Sequence, residues 1–429
     1  MQIKPYFSGA GATIYHGNVL DVLRELPASS VHCIVTSPPY WGLRDYGIEP
    51  VVWSGDEACS HLWGEVGRST QRQRSGEPGG IHEGRPTNKL ADNVMLHPPT
   101  GAFCCRCGAW HGSLGLEPTF ELYVEHLVAI FREVRRVLRD DGTCWVNMGD
   151  SYQGGSRGTS GKTWGGESPM QQSNLGSDTI TAPNRLPQDG LKPKDLCGIP
   201  WRVAIALQAD GLYLRSDIIW HKPNPMPQSV QDRPTKAHEY LFLLSKNERY
   251  FYDAHAIAEP SVTGDICNKR SVWTVATQPF GEAHFATYPE ALVEPCILAG
   301  TSERGCCPEC GAPWVRVVER SSGVDPSTGH NSRMFQDRDP SHPSQRKQRV
   351  RTLAGRASSG GVGWRPGCQC NTGEPVPCTI LDPFHGAGTT AVVALKQGCR
   401  YIGIELSEKY IQISLRRLQP QLAQLELFT

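Results

Sequence analysis

LDPFHGAGTTAVVAL, residues 381–395, decides the fold. Gly386 and Gly388 stand between a short apolar run that ends at Asp382 and a second one that begins at Thr389. Glycine at such a junction lets a strand turn sharply into a helix, and lets a ligand approach the backbone with no Cβ in the way. The next strand-like run, YIGIE (401–405), ends in Glu405. An acid at the end of the second strand, about 20 residues past the glycines, is the group that bonds ribose hydroxyls in dinucleotide folds. The phosphate-gripping P-loop is a poor match, because no lysine precedes Thr389. Strand, Asp-Pro-Phe, glycine turn, helix, strand and terminal glutamate together point to a bound nucleoside.

Working outward, two more stretches alternate in the same way. Residues 12–48 read as strand (ATIYHG), helix (NVLDVLRELP), strand (SVHCIVT) and turn. From Phe120, the residues Leu122, Leu127, Ile130, Phe131, Val134, Val137 and Leu138 fall on one helical face. DDGT is expected to end that helix, and CWVNMGDSY to follow as a short buried strand. A helix–strand pair (PWRVAIALQADG, LYLRSDIIWHK) and the strand EYLFLLSK come next. Strands alternating with helices predict an α/β fold with a Rossmann-like, doubly wound, mostly parallel sheet.

Three inserts interrupt this pattern. The sequence divides into α/β segments 1–50, 116–152, 196–302 and 377–429, separated by a cysteine-bearing insert (51–115), a Gly/Ser-rich insert (153–195) and a basic, cysteine-bearing insert (303–376). Charge is balanced, with 43 Lys and Arg against 43 Asp and Glu, so polyanion binding would rest on local patches. No apolar run approaches the roughly 20 residues of a membrane span, and the N-terminus lacks signal-peptide order. A cytoplasmic protein with no membrane partner is expected. In a reducing compartment its 16 cysteines need an account other than disulfides, and metal binding leads for the clustered ones.

DPFHGAGTT with YIGIE, and upstream TSPPYWG (36–42), resembles the amino-methylating DNA methyltransferases that use S-adenosylmethionine. The Pro-Pro-Tyr motif precedes the glycine motif, the order of that family's β group. LVAIFREVRRVLRDDGTCWVNMGD, SDIIWHKPNPMPQ and RPTKAHEYLFLLSK also resemble family segments. HFATYPEALVEPCI resembles its additional cofactor-side segment. The resemblance implies a class I methyltransferase sheet with permuted motif order. It also implies that Asp382, Pro383, Phe384, Gly386, Gly388, Thr389, Thr390 and Glu405 hold the cofactor, with Phe285 and Pro289 on its other side. Many relatives carry Gly-Asp after the first strand; here Gly17-Asn18 stands in its place. Asn18 is therefore expected to make an altered cofactor contact, with Asp21 as a substitute.

The resemblance assigns Ser37, Pro38, Pro39 and Tyr40 to the target base. An exocyclic amine is a poor nucleophile because its lone pair is delocalised into the ring. Two acceptors, the Ser37 hydroxyl and the Pro38 carbonyl, would localise that pair as charge develops. The double proline fixes the carbonyl's direction in advance. Tyr40 would stack on a base flipped out of the duplex, and Trp41 would extend the wall. In this family serine at the first position goes more often with cytosine N4, and aspartate with adenine N6. Trp220, Lys222, Asn224 and Pro227 read equally as pocket lining or loop packing, and His238 and Glu239 as a structural pair.

Cys59 and His61 precede Cys104-x-x-Cys107, and Cys307-x-x-Cys310 precedes Cys368-x-Cys370. Each set supplies four ligands of the kind that hold structural zinc. Cys105, Cys306 and His111 are alternative ligands. Arg68, Arg72 and Arg74, with Arg346, Lys347, Arg349 and Arg351, form basic runs suited to phosphates. These features and the resemblance together predict a methyltransferase acting on double-stranded DNA, cytosine N4 favoured over adenine N6, with zinc-braced insertions. The resemblance leaves room for a cognate restriction endonuclease as partner, which the sequence itself does not give. An RNA or protein-amide methyltransferase and a non-catalytic zinc-ribbon DNA-binding protein are the rivals.

Overall fold

The computed structural model describes residues 3–64, 101–154, 188, 190–262, 266–278, 287–317, 363–370 and 373–426. Its first part runs β1 (Phe7–Gly9), β2 (Ala12–His16), α1 (Val19–Glu25), β3 (Val31–Thr36), β4 (Val51–Trp53), β5 (Ala102–Phe103) and β6 (Trp110–Gly112). The middle runs α2 (Phe120–Val137), β7 (Leu138–Met148), α3 (Ile199–Ala209), β8 (Tyr213–His221), β9 (His238–Ser245), β10 (Glu259–Pro260), β11 (Ile266–Cys267) and β12 (Val272–Thr274). The last part runs α4 (Glu290–Gly300), β13 (Val315–Val317), β14 (Gly363–Arg365), β15 (Thr379–Asp382), α5 (Thr389–Lys396), β16 (Arg400–Glu405) and α6 (Glu408–Glu426).

Nine strands pair in the order β1-β2-β16-β15-β3-β7-β9-β8-β12. From β2 to β7 every neighbour is parallel. Strand β9 inserts antiparallel between β7 and β8, and β1 is antiparallel to β2. Helices cover both faces. On one side α1, α2 and α3 contribute Leu23, Leu127, Ile130, Val134 and Val203 to a core beneath the sheet; on the other, α4, α5 and α6 contribute Leu292, Ile297, Val393 and Ile411. That two-sided burial explains why β3, VHCIVT, is buried along its whole length and shows no polar alternation. The fold is the doubly wound, mostly parallel sheet that the sequence predicts.

One boundary differs. DDGT does not end α2: the helix stops at Val137, and β7 starts at Leu138 and continues for 11 residues. The Asp-Asp-Gly stretch is absorbed as an irregularity against β3, where pairing jumps from Val31↔Leu138 to Cys33↔Thr143. Gly142 sits in it because a Cβ there would meet the His32 carbonyl oxygen at 2.9 Å.

The inserts are partly built. β4, β6 and β5 form a small antiparallel sheet, and β13 and β14 an antiparallel pair. Phe285, Arg68, Arg72, Arg74, Arg346, Lys347, Arg349 and Arg351, and most of the Gly/Ser-rich insert, lie outside the described residues. Among the described residues no helix is long and apolar enough to cross a membrane.

Candidate active site

The parallel strands end on one crevice. It opens where the winding reverses: β15 leads through α5 to β16 on one side, and β3 leads through α2 to β7 on the other. Open α/β sheets bind ligands at such a switch point, outside the carboxyl ends of the strands. Pro383, Phe384, Gly386, Thr389 and Glu405 line this crevice, as do Asn18 and all of Ser37, Pro38, Pro39 and Tyr40. The two motifs come from opposite ends of the chain and face a single space.

On the glycine side, Gly386 and Gly388 have φ of +52° and +78°, the left-handed region that glycine enters without penalty. Glu405 holds the turn: one carboxylate oxygen accepts the Gly386 N–H at 2.8 Å, the other the Ser407 N–H at 2.8 Å. Burial pushes its pKa up to about 7, against those backbone hydrogen bonds. His385 is fixed between the Tyr401 and Ser414 hydroxyls, each at 2.7 Å, and burial drives its pKa down to about 3. It is a neutral structural ring. Asn18 caps α1, its side-chain oxygen accepting from Leu20 N–H at 2.8 Å. Asp21 is exposed, pairs with Arg24 and does not line the crevice, so it is no substitute.

Asp382, Gly388, Thr390 and Pro289 are close by but do not line the crevice. Asp382 is fully buried and accepts from the Thr36 hydroxyl at 2.6 Å, Phe384 N–H at 3.0 Å and the Tyr288 hydroxyl at 3.0 Å. Thr390 Oγ1 stands 2.9 Å from it. The carboxylate therefore ties the ends of β3 and β15 to α5. Pro289 is the N-cap of α4, while its neighbour Tyr288 faces the crevice. Gly388 is packed from behind: a Cβ there would lie 2.8 Å from Ser414 Cβ. Gly388→Ala is therefore expected to destabilise the fold by about 1–3 kcal/mol, read by urea unfolding. Wild-type stability in that variant would contradict the packing.

On the proline side, the shelf is braced. Pro39 carbonyl accepts from the Tyr123 hydroxyl at 2.7 Å, and Gly42 N–H donates to Gly115 O at 2.9 Å. Trp41 does not extend the wall. It is 1% exposed, packs edge-on against Phe120 and donates its indole N–H to Glu117 O. It anchors the shelf from below.

A polar network continues from the shelf. Ser37 Oγ donates to Tyr40 Oη at 3.2 Å, and Tyr40 Oη lies 2.9 Å from Asn147 Oδ1 and 2.8 Å from Glu239 Oε2. The other Glu239 oxygen bonds Lys222 Nζ, whose ammonium also lies 4.2 Å from the Trp220 ring centroid. Glu239 is thus not a structural partner of His238; it faces the crevice with Lys222, Trp220 and Asn147. Asn224 exchanges hydrogen bonds with Thr277, and Pro227 is exposed. The only local signals for Asn147 and Glu239 are that the first is the one amide of β7 and the second a carboxylate near the start of β9.

Both cysteine sets converge. The ligand atoms of Cys59, His61, Cys104 and Cys107 lie within 4.8 Å of one another, as do those of Cys307, Cys310, Cys368 and Cys370. Cys105 and Cys310 are exposed, and Cys105 and His111 are in neither group.

A family model described as DNA methylase matches residues 31–307 and 378–416. The Type II methyltransferase M.Cfr9I of Citrobacter freundii is 36% identical over 409 residues, 95% of this chain and 88% of its own. M.XycI of Xanthomonas campestris pv. cyanopsidis is 35% identical over 411 residues, 96% of this chain and 89% of its own. Among solved structures, the cytosine-N4-specific PvuII DNA methyltransferase aligns with a TM-score of 0.47 at 13% identity, over 99% of this chain and 95% of its own. On the family match and the length over which these sequences agree, the chain belongs to the N6/N4 DNA methylase family.

Proposed function

We propose that this chain methylates the N4 amine of a cytosine flipped out of duplex DNA. As a member of its family it is a DNA amino-methyltransferase, and S-adenosylmethionine is its methyl donor. The observation that carries the reading is that Ser37 and the glycine turn line one crevice.

The residues present fit the donor. Glu405 keeps lone pairs beyond those used by the two backbone N–H groups, and these suit ribose hydroxyls. Gly386 brings bare backbone to the crevice, where a Cβ would meet only the Phe384 oxygen, at 3.8 Å. Phe384 and Asn18 flank that end. When bound, S-adenosylmethionine supplies an electrophilic methyl group on a sulfonium.

The chain's own work is done at the amine. Ser37 Oγ spends its proton on Tyr40 and so offers lone pairs to an amine N–H. The Pro38 carbonyl offers a second acceptor, held by the proline rings. An amine nitrogen that had taken a methyl group would have to lose a proton. The hydrogen-bonded series Ser37 Oγ, Tyr40 Oη, Glu239 Oε2 leads that proton away from the base by successive hops. Lys222 on the far oxygen keeps Glu239 oriented. As a neutral acceptor serine would serve either amine; cytosine is favoured because, in the family that the sequence resembles, serine at this position goes more often with cytosine N4 and aspartate with adenine N6.

The test is direct. Duplex DNA incubated with the protein and S-adenosylmethionine is digested to nucleosides and analysed by mass spectrometry. N4-methyldeoxycytidine is expected. N6-methyldeoxyadenosine alone would overturn the base assignment, and label found in RNA or protein rather than DNA would overturn the substrate class.

A further inference from the structure

We propose that the chain binds two zinc ions, one in each cysteine-bearing insert, and that the first braces a wall of the crevice. Within the first group, Cys59 Sγ and Cys104 Sγ are 4.0 Å apart, and Cys107 Sγ lies 3.4 Å from His61 Nδ1. Zinc bonds of about 2.3 Å to sulfur and 2.0–2.1 Å to nitrogen give tetrahedral S···S and S···N edges of roughly 3.5–3.8 Å. Both separations lie within about 0.3 Å of such edges, and 4.0 Å is about twice the length of a disulfide bond.

A second observation is independent of those distances. The two Cys-x-x-Cys pairs are carried by the same backbone turn. In the first, Gly108 N–H donates to Cys104 O at 2.9 Å and Cys104 N–H to Ala109 O at 2.7 Å, with Gly108 at φ +74°. In the second, Gly311 N–H donates to Cys307 O at 2.9 Å and Cys307 N–H to Ala312 O at 2.9 Å, with Gly311 at φ +72°. One loop geometry recurring in unrelated surroundings implies a shared requirement. Aiming two thiolates at one ion is such a requirement.

At its cysteine end the first insert has little core of its own. The cluster beneath the ligands consists of Trp63, Ala102, Cys104 and Ala109, while Trp53 and Trp110 of the same sheet pack into the main core. A structural metal supplies folding free energy at that end. Cys59 and Cys104 stand at either end of a long excursion, and the ion would clamp its ends. β4 and β6 leave this clamp carrying Val51, Trp53, Ser113 and Leu114, at or just past their ends, into the crevice wall. The second group is different. It is held to the body by Arg139 donating to Cys310 O, by His32 on Gly311 O and by the Arg316–Asp253 pair, and none of these residues lines the crevice.

His32, Cys306 and Cys378 form a third close group, but it is not a metal site. His32 Nδ1 accepts from Thr379 N–H at 3.0 Å and Nε2 faces Gly311 O at 2.8 Å. Both ring nitrogens are committed to backbone, so the imidazole has no lone pair for an ion. The stoichiometry is therefore two.

Full-length protein purified without a metal-chelating tag is expected to carry about two zinc per chain by plasma mass spectrometry, and to release both to a mercurial reagent. Cys107→Ser and Cys310→Ser should each fall to about one, and Cys306→Ser should keep two. If the cysteine variants fail to fold, cobalt exchange into wild type gives the same answer through tetrahedral absorption bands with thiolate charge transfer. Folded wild type with no stoichiometric zinc, or with iron in its place, overturns the proposal; three zinc ions overturn the exclusion of His32. Metal content is read without any methylation assay, so failure here is separable from failure of the functional reading.

Discussion

Ser37→Ala is expected to lower kcat by about 10²–10³-fold, close to the loss on removing one preorganised hydrogen-bond group from a reacting centre. Cofactor affinity should stay within about twofold of wild type, because Ser37 stands on the proline side of the crevice and Glu405 on the other. The effect belongs in kcat because the hydroxyl is most useful when the amine nitrogen turns tetrahedral and its N–H groups acquire charge. Glu239→Gln examines what lies behind the serine. Glutamine keeps an oxygen for the Tyr40 hydroxyl but cannot take up a proton. Glu239 is a positioning residue reached through Tyr40, so its variant should both slow turnover and alter the solvent deuterium isotope effect on kcat. Single-turnover kinetics would check both variants. Wild-type kcat in Ser37→Ala would remove the serine from the chemistry; an unaltered solvent isotope effect in Glu239→Gln would leave that residue a purely structural role.

The parts of the site that read directly from sequence are those in which one short segment carries the whole arrangement. The glycine turn and Glu405 are of this kind, because strand, turn, helix and strand follow one another and the parallel pairing of β15 with β16 brings them side by side. The Ser-Pro-Pro-Tyr shelf is another, since its rigidity is local. What the sequence hides is set by register. Glu239 faces the crevice because β9 pairs antiparallel with β8, bringing Trp220 opposite Glu239. No local pattern reports that pairing, and beside His238 the acid looks structural. Asn147 and Lys222 also reach Tyr40 and Glu239 only once β7, β9 and β8 are aligned.

Two departures from the sequence reading share another cause. Asp382 and Trp41 belong to motifs several of whose members face the crevice, and motif membership says nothing about direction. The side chains at these positions turn inward, Asp382 to the hydroxyls of Thr36 and Tyr288 and Trp41 to Glu117 O. Likewise the cysteines announce themselves by Cys-x-x-Cys spacing, yet the meeting of Cys59 and His61 with a pair more than forty residues onward depends on how β4, β6 and β5 align.

The second large effect concerns pH and the cofactor. Burial holds the Glu405 carboxyl near a pKa of about 7 in the cofactor-free chain, above its ordinary 4.5. Ribose hydroxyls donate to a carboxylate and so favour its ionised form. Cofactor binding should therefore draw the proton off, and affinity should rise by up to about tenfold per pH unit below pH 7 and level off above it. Stability runs the other way. A carboxyl whose folded-state pKa is raised gives stability that is fully present below the unfolded value and is lost as pH rises through the folded one. The cofactor-free protein should thus lose stability between about pH 4.5 and 7 on account of this group, and added cofactor should reduce that loss. Glu405→Gln removes the titration. Its cofactor affinity should be flat from pH 5.5 to 8.5 and, at pH 8, about 10²–10³-fold weaker than wild type, since hydrogen bonds to a charged acceptor contribute about 1.5–3 kcal/mol each. Calorimetric titration across that pH range reads all of these effects. A wild-type affinity that does not change with pH would mean the carboxylate is already ionised in the empty crevice, held so by the N–H groups of Gly386 and Ser407.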